Sequence, residues 1–144
     1  MQAEAMGTLA DQRVETAIES YFDAISRRDR RAWEALFAAD ASVHDPVGTV
    51  PAEGREGLAE IWTVLSGPFE GLAMHADEIF YAGSGAAVRW KGTATGNKDA
   101  TFEFGGITVF EVGADGRIQT LMAYWDPADL LIRLSGDTDD DDSR

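Results

Sequence analysis

The sequence predicts an α+β domain in which helices pack on one face of a curved antiparallel sheet. Three observations predict it. Apolar residues recur at helical spacing through the first part of the chain; after Gly67-Pro68 the period falls from about 3.6 to about 2; and turn signals divide the second part. Helices first and a meander of strands second is the pattern of an α+β architecture.

The elements follow in order. Residues 9–26 form a helix whose apolar face is Val14, Ala17, Ile18, Tyr21, Phe22 and Ile25. Asp29 is placed to cap a short second helix, with Ala32, Trp33, Leu36 and Phe37 on its buried side. Residues 41–44 are a short strand, ended by Asp45-Pro46-Val47-Gly48, because proline removes a donor and restricts the residue before it. Leu58, Ile61, Trp62 and Leu65 then mark a third helix. Residues 72–81, 86–95, 101–112 and 117–125 read as four strands, joined at Gly83-Ser84-Gly85, Gly96-Asn97 and Asp115-Gly116. Phe102, Phe104, Gly106, Thr108 and Phe110 fall on one side of the third of these, and Leu121, Ala123 and Trp125 on one side of the last.

Composition excludes several functions. The 144 residues, 44% hydrophobic and 26% charged, make one domain, expected over residues 1–134. Residues 135–144 hold Asp137, Asp139, Asp140, Asp141 and Asp142 and read as a disordered acidic tail. A net charge of −14 argues against nucleic acid and anionic membranes, which need clustered Lys and Arg. With no cysteine and only His44 and His75, thiolate chemistry and a three-histidine metal site are excluded. No apolar stretch approaches the ~20 residues of a membrane span, and the N-terminus lacks a secretory pattern. A cytoplasmic protein is expected.

The phosphate-binding, dinucleotide, zinc-protease and serine-hydrolase signatures are absent. His44 and Asp45 are neighbours, but an extended strand points them to opposite faces, which argues against a dyad. What remains is Asp45, Tyr21 and the aromatic set Trp62, Trp90, Phe104 and Trp125. A carboxylate at a strand end, aimed among aromatic rings, is partly desolvated and shifted toward the range useful for moving protons. Tyrosine on a buried helix face needs a hydroxyl partner, which a ligand oxygen can supply. A turn role for Asp45 and a core role for the aromatics fit the same pattern.

The run Ala41-Ser42-Val43-His44-Asp45-Pro46-Val47-Gly48, with Gly54-Arg55-Glu56 after it, resembles the catalytic-aspartate segment of bacterial ketosteroid isomerases. Residues 115–120 with Ala123-Tyr124-Trp125 resemble their last strand, and Tyr21 falls at their oxyanion-donor tyrosine. The match runs over about residues 12–132. It places the chain among nuclear-transport-factor-2-like, SnoaL-like proteins, a superfamily that also holds polyketide cyclases, epoxide-opening enzymes and binding domains. The resemblance implies a cone-shaped sheet with three N-terminal helices on its concave face, a cystatin-like roll. Asp45 would remove a proton next to a carbonyl and return it elsewhere, and Tyr21 would donate to the developing enolate. Trp90, Phe104 and Trp125 would line the slot, with Trp62, Ile25 and Leu121 as further substrate-binding residues. No metal or organic cofactor is required, and a homodimer across the outer sheet face (Thr101, Glu103, Ile107, Val109) is implied. The chain departs from the pattern at Thr108, where the family has a protonated aspartic acid as second donor. It departs again at Trp62, where the family has a tyrosine supporting the first. The expected ligand is a hydrophobic polycyclic or polyketide-like molecule; the departures keep a polyketide or polyether cyclase and a non-catalytic binding domain open beside the isomerase.

Overall fold

The computed structural model describes residues 2–67, 69–96 and 100–128, with side chains from residue 12 onward. The expected acidic tail and the tip of the Gly96-Asn97 turn lie outside the described residues. The elements are α1 (Gln2–Ser26), α2 (Arg30–Glu34), β1 (Phe37–His44), β2 (Ala52–Glu53), α3 (Gly54–Ser66), β3 (Gly71–Ala82), β4 (Gly85–Thr95), β5 (Thr101–Val112) and β6 (Ile118–Tyr124). They form one α+β layer structure: a six-stranded sheet in the order β2-β1-β6-β5-β4-β3, with the helices against one face. Among the described residues, no helix is long and apolar enough to cross a membrane.

The apolar stripe of α1 is fully consumed by the core: Val14, Ala17, Ile18, Tyr21, Phe22 and Ile25 are all buried. Its C-terminal end is held by polar contacts to the far sheet edge and to α3. Ser26 Oγ exchanges hydrogen bonds with the backbone of Met74. Arg28, in the left-handed region at φ 57°, donates to the carbonyls of Ser66 and Phe69 at 2.8 and 3.0 Å. These are the orphan carbonyls that follow a helix end, so one guanidinium joins the α1–α2 turn to the exit of α3. Asp29 caps α2 as expected, accepting from the Ala32 N–H at 3.0 Å.

Two features depart from the sequence reading. Phe37 is not the last residue of α2 but the first of β1, so this strand is twice the length of the 41–44 segment. Its apolar neighbours suit a helix face, but Leu36 and Phe37 are recruited by β6, where the Ile118 N–H donates to the Leu36 carbonyl. The second feature is the pairing of β1. Strands β3 to β6 pair antiparallel, whereas β1 runs parallel to β6, so the sheet is mixed at that junction. A parallel pair needs a long crossover, and the intervening α3, β3, β4 and β5 supply it. The two-residue β2, which closes the sheet edge beside β1, carries no sequence signal of its own.

Candidate active site

Asp45 is delivered by alternation. On β1, Ala41 and Val43 face the core and Ser42 and His44 the other side; Asp45, the next inward position, is 8% exposed. His44 is turned away and lies 3.3 Å from Ser42 Oγ. The Asp45–Pro46 bond is cis, and the Val47 N–H donates to Ala123, so the chain beyond Asp45 stays on β6. Because β1 and β6 are parallel, Asp45 and Trp125 leave the sheet at the same end. The Trp125 indole N–H donates to Asp45 Oδ1 at 2.6 Å across 80 residues of sequence.

This hydrogen bond is the only one to the carboxylate among the described residues, and it favours the charged form. Burial outweighs it. The Asp45 pKa is pushed from 3.8 to about 6, with desolvation raising it and Trp125 lowering it. Tyr21, on the buried face of α1, is moved the same way. Burial first and the Asp45 charge second raise its phenol well above the ordinary range, while the Trp33 indole opposes the rise. Trp33 Nε1 is buried and completes no hydrogen bond of ordinary geometry, so it faces the phenol as a donor in reserve. Tyr21 is therefore a firmly protonated donor beside a carboxylate of depressed acidity.

Both open into one narrow slot of about 20 Å³, tight around its lining side chains. Its wall is apolar. Trp90 and Phe104 meet edge-to-face at 5.4 Å, and Phe104 meets Trp125 at 6.0 Å, so three rings from β4, β5 and the end of β6 form a continuous surface. Gly106 makes this possible. It lies opposite Trp90 in the β4–β5 register, and a Cβ there would come within 2.7 Å of the Trp90 ring and 3.0 Å of Trp125 Cβ. Thr108, 2% exposed, also lines the slot, and its Oγ1 accepts from Trp90 Nε1 at 2.9 Å.

Of the residues singled out from sequence, Tyr21, Asp45, Trp90, Phe104, Thr108 and Trp125 meet at this one cavity. Trp62, Ile25 and Leu121 do not. Trp62 and Ile25 line a separate smaller hollow of about 10 Å³ on the other side of Leu65 and Leu72, and Trp62 packs at a tilt against Trp33 at 5.3 Å rather than reaching Tyr21. Leu121 is fully enclosed in the core of β6. The place beside the phenol that Trp62 was expected to hold belongs to Trp33. Sequence reasoning also missed Leu65, Phe69, Leu72 and Met74 as lining residues. Leu72 and Met74 alternate on β3, and that alternation was the available signal; Phe69, between α3 and β3, gave none.

This α+β fold, with a carboxylate and a phenol buried at one apolar slot, has counterparts among known proteins. The chain belongs to the SnoaL-like domain family, whose pattern matches residues 18–121, and is a ketosteroid-isomerase-like member of it. It is 33% identical over 122 residues to the steroid Delta-isomerase of Nocardioides simplex, covering 83% of this chain and 94% of that protein. Two solved structures share the fold. One is the Delta 5-3-ketosteroid isomerase of Mycobacterium sp. (TM-score 0.69, 24% identity, 79% of this chain and 93% of that one). The other is an epoxide hydrolase/cyclase-like enzyme of pyran ring formation in the polyether salinomycin (TM-score 0.71, 20% identity, 81% and 92%).

Proposed function

We propose that this protein is an acid/base isomerase that relocates a proton next to a carbonyl in a flat, hydrophobic substrate, with Asp45 as the proton carrier. One observation carries the reading: a carboxylate 8% exposed, with a pKa near 6, fixed by Trp125 and opening into an apolar slot beside a protonated phenol. A base whose pKa lies close to working pH balances availability against driving force. Asp45 takes the proton alpha to the carbonyl and becomes a carboxylic acid. The electron pair moves onto the carbonyl oxygen, where the Tyr21 O–H and the Thr108 O–H can stabilise it. The proton then returns to a carbon further along the conjugated system, restoring the carboxylate. No group outside the protein is consumed.

The relative named steroid Delta-isomerase supports a steroid-sized ketone as substrate. A cyclase acting on a polyketide or polyether intermediate is the second reading, favoured by Thr108 in place of an acid and by the cyclase-like fold neighbour. In that reading the aromatic wall shapes the substrate and the donors matter less. We further propose that the protein is a homodimer joined through the outer face of the sheet.

The discriminating experiment is Asp45→Asn assayed on a 3-oxo-Δ5-steroid. The amide keeps the shape and loses the basicity, so turnover should vanish while steroid binding, followed by tryptophan fluorescence, stays within a few-fold. Full turnover in that variant contradicts the acid/base reading. A wild type inert on the steroid puts the cyclase ahead.

A further inference from the structure

Asp45 follows the last residue of β1, whereas the start of that strand, at Phe37 and Ala38, belongs to a second hollow of about 540 Å³. Its size is ordinary for a small-molecule site, and no residue lines both this hollow and the slot at Asp45. The buried part of its lining is apolar, made by Phe37, Ala38 and Leu58. Around that floor stand three arginines from three elements: Arg31 of α2, Arg55 in the first turn of α3, and Arg117 just ahead of β6. The chain has 12 Lys and Arg against 26 Asp and Glu, so three arginines at one hollow run against its overall charge.

Other arginines of the chain are engaged. Arg27 holds Asp23 and Asp29, Arg30 holds Glu34, Arg89 holds Glu78, and Arg28 holds two carbonyls. The guanidinium groups of Arg31, Arg55 and Arg117 make no hydrogen bond or ion pair among the described residues, and all three residues are exposed. Glu34 also lines the hollow, but Arg30 occupies it at 2.8 Å; Asp40, Glu53, Glu56 and Asp115, close by in sequence, are not part of the lining. We propose that this hollow binds an organic phosphate monoester, with the phosphate held by Arg31, Arg55 and Arg117 and the carbon body resting on the apolar floor. The guanidinium fork gives paired, charge-assisted hydrogen bonds to phosphate oxygens. A monoester offers three terminal oxygens and about two negative charges, enough for three forks, where a carboxylate has two oxygens and one charge. The start of α3 adds to the attraction, because Glu53 supplies no side-chain cap and the positive end of the helix dipole lies beside Arg55.

The test uses the full-length protein with 2-naphthyl phosphate, read by calorimetry beside 2-naphthoate and 2-naphthol. The phosphate should bind on the order of tenfold more tightly than either. Arg31→Ala, Arg55→Ala and Arg117→Ala should each weaken it about tenfold and leave the melting point unmoved, because these side chains hold no described partner. Arg89→Ala, which opens the exposed pair with Glu78 on β4, should leave the affinity unchanged, and so should Asp45→Asn. The backbone amide resonances of Gly54 and Arg55 should shift as the phosphate is added. Equal affinity for the phosphate and either companion, undiminished binding in the three arginine variants, an equal loss in Arg89→Ala, dependence on Asp45, or unmoved Gly54 and Arg55 resonances each overturn the proposal. No turnover is measured and the slot is not involved, so these failures are separate from failure of the proposed chemistry.

Discussion

Asp45 is held against its own preference for water, and that has a measurable thermodynamic sign. Its folded-state pKa, about 6, lies above the ordinary 3.8. The native state therefore binds this proton more tightly than the unfolded chain does. The stability this contributes is fully present below about pH 4 and is lost as pH rises through 6. A shift of this size corresponds to about 3 kcal/mol at neutral pH. Asp45→Asn should therefore melt higher than wild type at pH 7.5 by an amount of that order, and the gain should shrink toward zero near pH 4. Paired thermal melts across that range check it; a constant difference contradicts the burial argument. Trp125 works in the opposite direction. Trp125→Phe removes the donor to Oδ1, so the Asp45 pKa should climb further and the acid limb of the pH–rate profile should move to higher pH. An unmoved limb would mean that the 2.6 Å bond does not tune the base. At this scale much of the site was legible, because Asp45, Tyr21 and Thr108 rest on motif spacing and strand alternation. Trp33 was not. It was placed correctly on a buried helix side, but nothing in a periodicity says which neighbour an indole nitrogen meets.

Between the strands, the geometry of the aromatic wall depends on an absence. Gly106 leaves room for Trp90 on one side and Trp125 on the other, and the Tyr124 carbonyl sits 2.5 Å from where a Cβ would lie. Gly106→Ala must displace backbone or both indoles. We expect a stability loss of about 1–3 kcal/mol, together with a fall in activity larger than in ligand affinity, because the shift reaches Asp45 through Trp125. Denaturant melts and a kcat-against-KM comparison measure the two parts. The strands themselves were readable from period and turn chemistry; β5 was expected over residues 101–112 and spans Thr101–Val112. The start of β1 was not, because Phe37 continues an apolar helical spacing, and only its distant partner β6 decides the matter. The direction of that pairing was equally invisible. Alternation tells which face a residue takes, never which strand lies alongside.

For the whole molecule, the outer sheet face is the outstanding surface. Ile107, Val109 and Tyr124 are 46%, 38% and 48% exposed, and Phe80 is 61% exposed on the same sheet. Large apolar side chains grouped in this way mark an interaction surface more often than single exposed ones do. A homodimer across it should appear in sedimentation velocity at micromolar concentration, and Ile107→Lys should shift it to monomer without lowering the melting point of the isolated fold. Only monomer in the wild type contradicts the proposed assembly.

The parallel seam between β1 and β6 governs when the site can come into being. Asp45 and Trp125 are 80 residues apart in sequence, and the last strand must dock before they meet. Contacts this distant bring no stabilisation until most of the loop entropy has already been spent, so they belong late in folding. A growing chain that has released β3, β4 and β5 can form their meander, but β1, and the base with it, is not yet joined to it. On a ribosome or in refolding from urea, ligand capture should therefore lag behind the recovery of secondary structure. Its onset would time the arrival of the C-terminal strand, making the functional slot a reporter on the final step of its own assembly.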